Sequence, residues 1–222
     1  MLLACVMPNL DKLAEVFTYR FHNPSRIDST VAQELADSLG FPLKKYFKKP
    51  NSLTSLKDMR LKMGWSGYRG ELLALAMIEE LPQDYIFLRG NIMELLRANQ
   101  WRPYVIDPPL NIRHGIRRIG VGANGKRENV RDWVPEYQAW FDALPTNAKD
   151  RCYDFGFVEF LLPNTQGAYF NAFHRNPFVN PFNDRRIIEL SMRFPVADRL
   201  NRSILDLFLE RTNKDLLEYR FH

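Results

Sequence analysis

The chain has 222 residues, 45% of them hydrophobic and 13% aromatic, which is enough to bury a substantial core and excludes wholesale disorder. Its 31 basic side chains are interspersed with 26 acids, so the net charge of +5 excludes a dedicated nucleic-acid tail while suiting anionic small ligands. Two distant cysteines, Cys5 and Cys152, exclude a disulfide framework, and no apolar run is long enough to span a bilayer; the expectation is a cytoplasmic protein with no membrane or nucleic-acid partner.

In chain order, LLACVMP reads as the end of a helix cut short by Pro8. VFTYRF, residues Val16 to Phe21, is β-branched and aromatic and predicts a strand. HNPSRID predicts a turn, with Asp28 or Ser29 capping the helix that follows. That helix carries Val31, Leu35 and Leu39 at a spacing of four and ends at Gly40, in the position glycine favours after a helix. PLKKYF predicts a second strand, and YRGELLALAMIEELP a helix stopped by Pro82. Tyr85 to Leu88 reads as a short buried strand breaking at Gly90, with IMELLRANQW starting a helix directly after it. The strand–helix alternation predicts a parallel α/β sheet, whose ligands sit at the carboxyl ends of strands. That puts His22 to Ser25 and Arg89 to Asn91 on the functional rim.

Beyond Pro103 the pattern breaks, and RPYVIDPPLNIRHGIRRIGVGANGKRENV reads as an irregular excursion. DWVPEYQAWFDALP predicts a helix, YDFGFVEFLLP is helical or extended, and the chain closes on a helix from about Ser203 to Glu210. The whole reads as one domain: residues 1–102 α/β, 103–150 irregular, 151–222 mostly helical.

Several motifs carry candidate chemistry. GVGANGKR, Gly120 to Arg127, matches most of a phosphate loop, but charged HGIRRI precedes it where a buried strand is required, and Arg127 replaces the magnesium-binding hydroxyl. A basic loop is the plainer reading. His22, His114, His174 and His222 lack the spacing of metal ligands. In LRGNIMELLR the turn at Gly90 would aim backbone N–H groups and a helix dipole at an anion, with Arg89 alongside. Otherwise Gly90 only makes the turn, Asn91 caps the helix and Glu94 pairs with Arg97. In NPFNDRRIIELSMRFP, Asn183 reads as the helix cap and Asp184 as a first-turn acid. Ile187, Leu190 or Ser191, and Phe194 make the buried face, leaving Arg185, Arg186, Glu189 and Arg193 outside.

Taken in order, these stretches resemble the synthetase domain of asparagine and β-lactam synthetases. NPFNDRRIIELSMRFP is similar to that family's RxPFLDxxxVExAxxLP, matching at Pro181, Phe182, Asp184 and Glu189. VFTYRFHNPSRIDSTVAQELADSLGF is similar to its second strand and helix, and YIFLRGNIMELLRANQ stands where it carries GxGxDELFxGY. The resemblance implies an adenine-nucleotide α-hydrolase-like fold: a parallel sheet flanked by helices, with a helical C-terminal part. It implies ATP and magnesium as cofactors, adenylation of a small-molecule carboxylate, and attack by an amine. It also implies nucleotide contacts at Thr18, Tyr19, Arg20, Leu88, Arg89, Gly90 and Asn91, and catalytic roles for Glu94, Asp184 and Arg185.

The departures carry equal weight. The family's SGGxDS pyrophosphate loop and the first strand before it are missing ahead of LLACVMP, and Met93 stands where the family has an aspartate. Arg199 and Arg202 are the nearest cations to the family's late phosphate-contacting lysine. Three readings follow: a truncated ligase, a degenerate relative that binds a nucleotide or acidic ligand as a non-catalytic scaffold, or a chain completed by a partner polypeptide. In each, this chain alone is expected not to turn over ATP. A sheet lacking its first strand would also favour self-association.

Overall fold

The computed structural model describes residues 1–20, 25–47, 84–90, 92–102, 110–119, 127–163 and 177–219. The helix expected at 68–82, the glycine-rich stretch 120–126, Asn91 and the rim residues His22 to Pro24 lie outside them. The chain is mixed α/β and mostly helical, and it divides into two compact units. Among the described residues no helix is long and apolar enough to cross a membrane.

The first unit comprises Met1–Arg89, Ala168–Val179 and Leu209–His222. It opens with α1 (Leu2–Val6), which passes into a 3-10 segment, Met7–Lys12, with Pro8 at its start, where a missing N–H costs nothing. Strand β1 (Phe17–Arg20) leads through α2 (Ser25–Leu39) to β2 (Lys44–Phe47), and β1 and β2 pair in parallel with Phe17 opposite Lys44 and Tyr19 opposite Tyr46. Helix α2 packs on β1, and its Leu35 and Ala36 are buried. It starts at Ser25, earlier than expected, so Asp28 falls in its first turn rather than at its cap. It ends as the sequence predicts: Gly40 has φ +70, and the Phe41 N–H closes the helix on the Ala36 carbonyl at 3.0 Å.

A second parallel pair joins β3 (Phe87–Leu88) to β4 (Phe178–Val179). Only Phe87 of the expected buried strand is enclosed; Tyr85, Ile86 and Leu88 are exposed. A ladder of edge-on rings runs from Tyr46 to Phe17 to Phe87 to Phe178, with centroids 5.3–5.5 Å apart, and joins the two pairs into one aromatic core. Two small parallel pairs thus stand among the described residues where one sheet was expected.

The second unit comprises Gly90–Gly167 and Asn180–Phe208. It is built from α3 (Ile112–Arg118), α4 (Arg127–Asp132), α5 (Val134–Ala143), α6 (Thr146–Lys149), α7 (Cys152–Gly156, extended by a π-helical turn to Leu161), α8 (Arg185–Arg193) and α9 (Val196–Leu200). Helix α10 (Ser203–Thr212) begins in this unit and ends in the first. Much of the expected irregular excursion is therefore helical. The Asn111 side chain caps α3 by accepting the His114 N–H, and Ile116, Val130 and Tyr137 form a shared core for α3, α4 and α5. YDFGFVEFLL is helical.

The expected helix at IMELLRANQW does not form. Ile92–Ala98 are successive turns closed by Leu95 N–H to Ile92 O and Ala98 N–H to Leu95 O, followed by a 3-10 turn at Asn99–Trp101. Ile92 and Ala98 hold positive φ, at 78 and 45. Ile92, Met93, Leu95, Leu96 and Ala98 are all buried there, and the Leu95 carbonyl accepts from the Arg199 guanidinium.

Candidate functional site

The second unit is organised around that turn. Arg199 of α9 and Asp154 of α7 are both fully buried. Their side chains meet as a fork, Nη2 to Oδ2 at 2.6 Å and Nη1 to Oδ1 at 3.1 Å, and Nη1 also donates to the Leu95 carbonyl at 2.6 Å. One guanidinium thereby ties α7, α9 and the turns before Asn99 together. Asp154 lies beside Cys152, whose thiol is pushed up to about 12 by burial first and the Asp154 charge second, which removes it as a nucleophile. Arg199 is therefore a structural cation: of the two cations nearest to the position of the family's late lysine, it is the one fully buried and committed to Asp154 and the Leu95 carbonyl.

The residues assigned by resemblance divide between the units. Thr18, Tyr19, Arg20, Leu88 and Arg89 belong to the first, and Gly90, Glu94, Asp184 and Arg185 to the second, while Asn91 lies outside the described residues. In the first unit Thr18, Tyr19 and Arg20 occupy the carboxyl-terminal part of β1. Arg89 follows β3 with its N–H on the Val179 carbonyl at 3.0 Å, and its guanidinium stacks over the Phe178 ring at 5.2 Å. Near the start of β1, Glu15 accepts the Tyr46 hydroxyl at 2.6 Å and pairs with Lys44 at 3.2 Å. The Tyr46 pKa is raised by burial and then by the Glu15 bond, so this phenol stays neutral.

In the second unit, Gly90 precedes turns rather than a helix among the described residues, so of the two readings of this corner the one that needs a helix dipole has no helix there to supply it. Glu94 is partly buried in those turns, and its charge acts on Arg97. Asp184, not Asn183, caps α8: its Oδ1 accepts the Arg186 and Ile187 N–H groups at 2.8 and 3.3 Å. The Asn180 side chain makes the preceding turn by accepting the Phe182 N–H at 3.0 Å. The shift from Asn183 to Asp184 reflects the extended backbone of Asp184, φ −121 and ψ 132, which aims the carboxylate back at the first turn. Arg185 lies on the exposed face and bonds Glu189 at 2.7 Å. Of the two candidates for the inner face, Ser191 is buried and donates to the Ile187 carbonyl at 2.7 Å, whereas Leu190 is exposed. At the far end of α8, Arg151 Nε donates to the Met192 carbonyl at 3.1 Å.

Asp184 faces its own helix, and no three His, Cys, Asp or Glu groups gather among the described residues. Sequence reasoning missed Asp154, and no spacing could have shown it, because its partner Arg199 lies 45 positions away in the chain. A comparison of this sequence with family models, with curated proteins and with solved structures finds no match.

Proposed function

We propose that the chain is an asparagine synthetase-like ligase domain that holds an adenine nucleotide and does not by itself carry out carboxylate adenylation and amide formation. The observation that carries the first half is the parallel β1–α2–β2 unit, in which Thr18–Arg20 close the first strand and lead into the helix. Strand–helix–parallel strand is the arrangement in which nucleotides bind at carboxyl strand ends. The second half rests on how the candidate catalytic side chains are used. Asp184 accepts two backbone N–H groups of its own helix, and Arg185 is paired with Glu189 on the solvent face. A carboxylate committed to a cap is not disposed to hold a metal or to meet developing charge. The same observation favours a second reading, a non-catalytic protein that binds a nucleotide or acidic ligand.

The assay that tests the catalytic half is pyrophosphate release from ATP and magnesium, with paired carboxylate and amine substrates. No release above the buffer rate is the expected result. Sustained release that depends on both substrates would contradict it.

A further inference from the structure

Four arginines from three distant stretches gather around the Asn99–Trp101 turn. Arg97 and Arg102 flank the turn in sequence. Arg118, from the last turn of α3, is fixed to it by Nε donating to Gln100 Oε1 at 3.2 Å and Nη2 donating to the Asn99 carbonyl. Arg202 follows α9, which packs on the same turn, and is held by Asp206 at 3.2 Å. All four are partly buried. The Arg97 pKa is lowered first by burial and then by the charges of Arg102 and Arg202; that of Arg118 is lowered by burial and by Arg102. Each remains a cation, so the cluster holds like charges together where water screens them poorly.

Among the described residues the compensating groups are fewer than the cations. Glu94 acts on Arg97 and Asp206 on Arg202, two carboxylates against four guanidinium groups. Arg97 and Arg102 make no hydrogen bond or ion pair among the described residues, and the buried Nε of Arg202 has no acceptor there. Arg118 is held in place by the turn and does not need to be ordered on binding, which lowers the cost of capture. A guanidinium fork matches a tetrahedral oxyanion edge-on, and two surplus positive charges match a dianion.

We propose that Arg97, Arg102, Arg118 and Arg202 form a binding site for a phosphate dianion, free or as the terminal group of a small molecule. The site stands on this cluster alone and does not rest on the ligase reading. It accounts for like charges being gathered where a purely structural role would call for alternating signs.

Inorganic phosphate, titrated into the whole chain at constant ionic strength, is the direct probe, with 31P NMR and thermal unfolding as readouts. The comparison is the double variant Arg97→Gln/Arg102→Gln, with Arg193→Gln on the exposed face of α8 as the charge control. Saturable binding to the wild type is expected, weakened about tenfold or more in the double variant and unchanged in the control. In phosphate-free buffer the double variant should melt no lower than the wild type, because repulsion has been relieved; phosphate should then raise the melting temperature of the wild type only. Equal binding by wild type and double variant would overturn the site, as would no binding by the wild type. A double variant less stable than the wild type in phosphate-free buffer would assign these arginines to the fold instead. Binding of a short single-stranded oligonucleotide without any binding of phosphate would overturn the small-molecule assignment.

Discussion

Arg199 and Asp154 show how one side chain can decide a region. A buried ion pair adds little when compared with an apolar pair of the same shape, but half of one is costly, because the remaining charge has neither water nor partner. Asp154→Ala would leave the Arg199 guanidinium enclosed with the Leu95 carbonyl as its remaining acceptor among the described residues. The expected loss is about 3–5 kcal/mol of unfolding free energy, measured by denaturant titration. Adding Arg199→Met should recover part of that loss, since the stranded charge is gone. A loss under about 1 kcal/mol for Asp154→Ala, the range of an exposed pair, would mean that the two groups are not enclosed. Nothing in the sequence marks this pair: Asp154 stands in an apolar run, and Arg199 draws attention only as a cation near the position of a family lysine. Their bond spans 45 positions, and the bond to Leu95 spans 104, so only the fold brings them together.

At the scale of elements, Gly115 sets how closely α3 and α5 approach. A Cβ there would lie 2.5 Å from Tyr137 Cζ and nearer still to the hydroxyl, and Tyr137 is itself buried. The sign of a substitution is informative, because glycine to alanine inside a helix ordinarily stabilises by about 0.5–1 kcal/mol. Gly115→Ala should instead destabilise by about 1–3 kcal/mol through overpacking. Tyr137→Phe, which removes a hydroxyl that has no hydrogen-bond partner among the described residues, should recover part of that loss. Unfolding free energies of the two single variants and the double variant would check both statements; a neutral or stabilising Gly115→Ala would contradict the close approach. Elements were legible in the sequence where local pattern and tertiary need agree. The β-branched and aromatic FTYR, the four-residue stripe and terminal glycine of α2, and the helix from Ser203 are of that kind. IMELLRANQW was not: it is rich in helix formers, yet it forms turns with positive φ at Ile92 and Ala98, and its Leu95 carbonyl accepts from Arg199, a partner 104 positions away. Asp184 was recognised as important, but its structural use as a cap could be told from a catalytic one only by the backbone angle at its own position.

For the molecule as a whole, two compact units divide the residues that the resemblance would gather into one site. The β1–α2–β2 unit carries the nucleotide-binding half of the functional reading, and the arginine cluster beside the Asn99–Trp101 turn is a separate anion site on different residues. The two claims can fail independently. The most direct measurement of the central claim is isothermal titration of the whole chain with ATP in the presence and absence of magnesium, with AMP and inorganic phosphate as comparisons, repeated on Arg97→Gln/Arg102→Gln. The predicted result is saturable ATP binding that is strengthened by magnesium and retained in the double variant, with AMP competing for the same site. Absence of saturable ATP binding, or ATP binding that disappears in the double variant and is matched by phosphate alone, would contradict it.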